Sequence, residues 1–217
     1  MLGVYFAVIQ NLTSKPKKFE NFLKFLCFYL EDITEKAILH FTEALRMAPD
    51  LEKAKTKRAV CKRLVEVKTR GNTAFKAQNF EEACNIYTEA LQVDPLNKIT
   101  NAKLYFNRAL ARSKIRAADC DEEEKRDRLV IQDCDKAIEL DESYVKAYRR
   151  RGYAKQNIGE HEEAVRDFET VLKKEPTQEN KQAVRDGKFS EKYIKLVNFC
   201  YIYSQKERKN GCAKGLL

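Results

Sequence analysis

The sequence predicts an all-α fold, a solenoid of antiparallel helix pairs, and three observations carry that prediction. First, a frame of small, aromatic, small and proline residues recurs: Gly71, Ala83, Tyr87, Ala90 and Pro95 are matched by Gly152, Ala164, Phe168, Val171 and Pro176. Both sets span 24 residues from glycine to proline. Second, no strand-like alternation of useful length is present, so sheet content is expected near zero. Third, glycine and proline are few, seven and four in 217 residues, which suits helices with rare interruptions.

Each element follows from that frame. Ala37, Phe41, Ala44 and Pro49 repeat its second half. Small residues let two helices approach closely, the aromatic fills the space between them, and the proline stops the second helix because it lacks a backbone N–H. The stretch from Pro49 to the next frame near Leu64 is longer than one repeat allows and holds neither glycine nor further proline. It predicts one long helix over about Leu51 to Gln78. A second helix through Ala83, Tyr87 and Ala90 then stops at Pro95. Val130, Cys134 and Ala137 continue the frame, with Glu142 where the proline falls, 47 residues after Pro95. Part of that excess precedes the helix carrying Asn107; the rest lies in 117–126, AADCDEEEKR, and lengthens the next turn as a solvated charged loop or helix extension. The last full repeat runs to Pro176, and Gln178 to Arg185 starts a cap that Gly187 interrupts. The expected organisation is a divergent segment over 1–30, a half repeat with a connecting helix over 31–63, three repeats over 64–176, and a cap with a basic tail over 177–217.

Composition limits the function classes. At 43% hydrophobic and 35% charged residues the chain has the balance of a soluble helical protein. The seven cysteines form no C-x-x-C pair and are odd in number, which predicts reduced thiols in a cytoplasmic or nuclear compartment. Cys84 and Cys134, inside repeat helices, are the expected buried ones. The apolar run Leu2–Ile9 has no basic residue before it and is too short to span a bilayer, so no membrane association is expected and the sequon at Asn11 carries no weight. No phosphate-binding glycine loop, metal-ligand cluster or histidine beside a nucleophile is present. The expectation is a non-enzymatic protein without metal or cofactor, and a monomer.

Net charge is +9, with eight Lys or Arg against three acidic residues between Asp50 and Arg70. That balance suggests an acidic partner without choosing among peptide, nucleic acid and membrane surface. Five residues are more specific. Lys68 and Asn72 lie four apart, Asn107 falls in the next repeat, and Lys146 and Arg150, again four apart, fall in the one after. All belong to the first helix of their repeats, which in such a stack lines the concave groove. Lysines act there as point charges, arginine as a two-pronged donor to a carboxylate, and asparagines as uncharged donors. Phe75, Leu110 and Lys114 follow on the same helices as further groove contacts, while Tyr105, Tyr148 and Phe168 read as packing residues.

The frame resembles the tetratricopeptide repeat, whose unit is a pair of antiparallel helices with a period of about 34 residues, over roughly 31 to 176. Lys68, Gly71 and Asn72 in KTRGN, Asn107 in LYFNR, and Lys146 with Arg150 in KAYRR resemble the two-carboxylate clamp of tetratricopeptide co-chaperones. The resemblance implies partners in the C-terminal Glu-Glu-Val-Asp tails of heat-shock proteins 70 and 90, with the last residue offering its side chain and chain end to these five residues. Within that family the segments KAILHFTEALRMAPDLEKA, GNTAFKAQNFEEACNIYTEALQVDPLNKITNAKLYFNRA and YVKAYRRRGYAKQNIGEHEEAVRDFETV are similar to the DnaJ-class tetratricopeptide co-chaperones, in their second repeat cluster. Those end in a J domain whose His-Pro-Asp stimulates ATP hydrolysis by heat-shock protein 70. Here the only histidines, His40 and His161, do not precede Pro-Asp, so the expectation is partner holding without that stimulation. Residues 1–30 and 189–217 match no repeat and receive no function. Two other readings remain open: a scaffold for a different acidic peptide, and a basic helical array for single-stranded RNA.

Overall fold

The computed structural model describes residues 34–192 and 195–196. The first thirty residues, most of the segment after 189, and Cys27, Cys200 and Cys212 lie outside them. Among the described residues every regular element is a helix. They are α1 (Thr34–Met47), α2 (Glu52–Lys76), α3 (Phe80–Val93), α4 (Lys98–Arg112), α5 (Cys120–Leu140), α6 (Val145–Asn157) and α7 (His161–Lys174), followed by α8 over 178–192. The chain divides into two compact units, one ending at Tyr144 and one beginning at Val145.

The repeat frame is the core. Ala37, Phe41, Ala44, Ala83, Tyr87, Ala90, Val130, Cys134, Ala137, Ala164, Phe168 and Val171 are all buried. In the first unit, α1 packs on the amino-terminal half of α2 through Ala37, Phe41, Ala54 and Cys61. The other half of α2 joins α3 and α4 around Leu64, Val67, Ala74, Tyr87 and Leu104. At roughly 1.5–3 kcal/mol for each large apolar side chain removed from water, these clusters are the main source of cohesion. In the second unit Ala164 and Phe168 pack against Val184 of α8, so α8 covers the outer side of the last helix pair as a cap. The glycines of the frame answer to the rings opposite them. A Cβ on Gly71 would lie 2.7 Å from the Tyr87 ring, and one on Gly152 2.7 Å from the Phe168 ring. In the intervening repeat, Ala109 stands at the glycine position and Cys134 at the aromatic one.

The long helix expected over Leu51–Gln78 is present as one uninterrupted 25-residue helix, α2. It ends in a Schellman closure: the Asn79 N–H donates to the Ala74 carbonyl at 3.0 Å and the Gln78 N–H to that of Phe75 at 3.0 Å. Gln78 takes the left-handed conformation this closure requires, φ 64°. Gly159, at the same point of the last repeat, does so at φ 83°, with Glu160 donating to Lys155 at 2.9 Å.

Two expectations need correction. First, Gly187 does not interrupt the cap, since α8 runs through it to 192. The segment 117–126 takes the second of its two expected forms, a helix extension: α5 begins at Cys120, and only 117–119 are non-helical. The reason is a capping box. Asp119 accepts from the Glu122 N–H at 2.8 Å, and Glu122 reaches back to the Ala118 N–H at 2.9 Å. Its acidic first turn, Asp121, Glu122 and Glu123, suits the positive end of the helix dipole. Second, Cys84 is only half-buried, whereas Cys61 joins Cys134 in the core, because α1 covers Cys61. Burial pushes the Cys61 and Cys84 thiols up to about 11, so both stay protonated near neutral pH.

Candidate carboxylate-binding site

The cations of these helices fall into two sets. In one set each charge is used inside the protein. The Arg108 guanidinium donates twice to Asp133, at 2.6 and 3.0 Å, and Arg112 adds a third bond to the same carboxylate at 2.7 Å. At the same points of the last repeat, Arg151 donates to Asp167 at 2.5 and 2.9 Å. Lys155 pairs with Glu163 at 2.7 Å, and Arg149 with Glu175 at 2.9 Å. Asp133 and Asp167 are buried, where an ion pair holds only with such multiple hydrogen bonds. These pairs fasten the first helix of a repeat to the second.

Two of the expected site residues, Lys146 and Arg150, form the other set. Lys68 and Asn72 share one face of α2, both half-buried. Asn107 is half-buried on α4 beside Arg108, and its amide has no partner among the described residues. On α6, Lys146 is exposed and Arg150 half-buried. Neither side chain has a partner among the described residues, although Arg149 and Arg151 on either side of Arg150 are both engaged. Lys68, Asn72 and Asn107 belong to the first unit, Lys146 and Arg150 to the second. Asn72 is held by a residue that sequence reading placed only in the packing frame. The Tyr87 hydroxyl donates to Asn72 Oδ1 at 2.8 Å, and burial pushes the phenol up to about 12. The available signal was the hydroxyl itself: the matching ring in the last repeat is Phe168, followed there from Gly152 by Tyr153 instead of asparagine.

The secondary contacts are more varied. Phe75 is half-buried and meets Phe80 edge-on, with ring centroids 5.4 Å apart. Leu110 is half-buried on α4. Lys114 lies just past the end of α4, where with Phe80, Glu82 and Arg116 it lines an open cleft of about 640 Å³ at the α2–α3 turn. Of the expected packing residues, Phe168 is buried. Tyr105 and Tyr148 are half-buried instead: Tyr105 lies under the Arg108 guanidinium and Tyr148 between Arg151 and Lys174. Among the described residues no helix is long and apolar enough to cross a membrane.

No family model matches the chain. It is 44% identical over 202 residues to human DnaJ homolog subfamily C member 7, an alignment covering 90% of this chain and 39% of that protein. The chain thus spans about two-fifths of the length of this curated relative. Among solved structures, the first TPR domain of human RPAP3 is similar at 31% identity and TM-score 0.51, over 61% of this chain and 95% of that domain. The Hsp90 co-chaperone Cns1 from Saccharomyces cerevisiae is similar at 25% identity and TM-score 0.56, over 70% of this chain and 46% of its own. With the buried frame and the helix pairs it organises, these similarities show that the chain belongs to the tetratricopeptide-repeat family, as a relative of DnaJ homolog subfamily C member 7 across its repeats.

Proposed function

We propose that this chain is a cytoplasmic co-chaperone adaptor without catalytic activity. It holds the C-terminal Glu-Glu-Val-Asp tail of heat-shock protein 70, heat-shock protein 90 or both, through Lys68, Asn72, Asn107, Lys146 and Arg150. The observation that carries this reading is the lack of internal partners at Asn107, Lys146 and Arg150, on helices whose neighbouring arginines form internal ion pairs. Donors left unsatisfied at matched repeat positions suit an external acceptor, and a C-terminal aspartate supplies two carboxylates. The kinship with a DnaJ homolog and with an Hsp90 co-chaperone supports the choice of partner.

Each charge-assisted hydrogen bond contributes about 1.5–3 kcal/mol before ordering costs, so micromolar affinity, about −8 kcal/mol, is expected. Arg150→Ala or Lys146→Ala is expected to weaken binding of a Glu-Glu-Val-Asp peptide roughly tenfold or more by calorimetry, with helix content unchanged. Retention of full affinity in both variants contradicts the assignment. Single-stranded RNA, titrated across salt concentrations, separates the basic-array reading, which requires a steep salt slope that Asn107→Ala leaves unchanged.

A further inference from the structure

We infer that Tyr87 is a positioning residue for this site: its buried hydroxyl fixes which end of the Asn72 amide faces an incoming carboxylate. This rests on the function proposed above. An asparagine amide is two-faced, with a carbonyl oxygen that repels a carboxylate and an NH₂ group that binds one, and nothing in its own chemistry selects between them. Tyr87 makes the selection. Its ring is 2% exposed, so its hydroxyl proton needs an acceptor within the protein. Asn72 Oδ1, at 2.8 Å, is the acceptor it has. Turning the amide over would present Nδ2 to the phenol oxygen and strand a buried O–H donor, an outcome proteins avoid. With Oδ1 held in this way, Nδ2 points away from Tyr87 and has no partner among the described residues.

The remaining geometry serves this contact. Gly71 has no Cβ, which would otherwise meet the Tyr87 ring at 2.7 Å, so the ring lies against the α2 backbone and its hydroxyl reaches the next residue. The chain contains its own comparison. Gly152 and Phe168 reproduce the same close approach, at the same 2.7 Å, but the residue after Gly152 is Tyr153 and the ring carries no hydroxyl. Helix packing therefore needs only the ring. The hydroxyl appears where an asparagine has to be aimed.

Tyr87→Phe removes that hydroxyl and keeps the ring. In the full chain labelled with ¹⁵N, the Asn72 side-chain NH₂ pair, assigned by its disappearance in Asn72→Ala, is expected to shift and broaden in Tyr87→Phe. Affinity for a peptide ending in Glu-Glu-Val-Asp with a free carboxylate is expected to fall about fivefold, the size of one neutral hydrogen bond. In the Asn72→Ala background the same substitution is expected to cost nothing more. An unchanged Asn72 signal overturns the inference, as does an equal affinity loss in both backgrounds, which marks a packing effect. If the parent chain does not prefer the free acid over its amide, the proposed function fails, and the Asn72 signal alone still decides the role of Tyr87.

Discussion

Arg149, Arg150 and Arg151 are consecutive in sequence yet do different work: Arg149 closes onto Glu175 and Asn180, Arg151 onto Asp167, and Arg150 onto nothing described. Spacing alone selected Arg150, since it lies one turn from Lys146. What spacing did not show is that its neighbours are spent on internal pairs, because their acceptors lie on helices distant in sequence. The same holds for Tyr87, whose partner is fifteen residues away. Asp94 is a residue whose environment makes a pH prediction. It is buried where α3 gives way to α4, and desolvation raises its carboxyl above the usual range, against a backbone hydrogen bond from Leu96 that lowers it. A raised carboxyl favours the fold in its protonated form, so that contribution is present at low pH and is lost as pH rises through the folded value. Asp94→Asn is therefore expected to raise the thermal midpoint by a few degrees at pH 7. The gain shrinks toward zero on acidification through the carboxyl's titration, which calorimetric scans of both proteins at several pH values check.

At the scale of elements, the frame was legible because it records how closely two helices approach. Alanines, glycines and the rings of three of the four pairs are set by contact distance, and twelve frame positions are buried as that demands. The extent of α2 was legible for a different reason, the absence of breakers from 51 to 70. Helix starts were less so. Asp119 and Glu122 form a capping box visible in sequence, but the acidic run that follows reads equally well as solvated loop until the N–H groups are seen to be satisfied. The turn after α2 yields an element-scale prediction. Gln78 bears a left-handed strain that Gly159 escapes at the matching turn, and a non-glycine residue there costs roughly 1–2 kcal/mol. Gln78→Gly is expected to stabilise the first unit by roughly 0.5–1 kcal/mol after the entropic cost of glycine. Urea unfolding monitored by circular dichroism measures it; a lower midpoint contradicts the strain argument.

For the whole molecule, the functional claim is a sum over repeats. The donors of the proposed function are spread over both units: in the first, α2 brings a lysine and an amide and α4 an amide; in the second, α6 brings a lysine and an arginine. Net charge of +9 adds long-range attraction for an acidic tail and makes binding sensitive to salt. It favours every polyanion and so decides nothing by itself. Specificity has to come from the requirement for a free chain end. The direct test is a calorimetric titration of the full chain with two peptides identical up to a terminal Glu-Glu-Val-Asp, one with a free C-terminal carboxylate and one with a C-terminal amide. The expected result is micromolar binding of the free acid and a loss of at least tenfold for the amide; equal affinity for the two contradicts carboxylate capture.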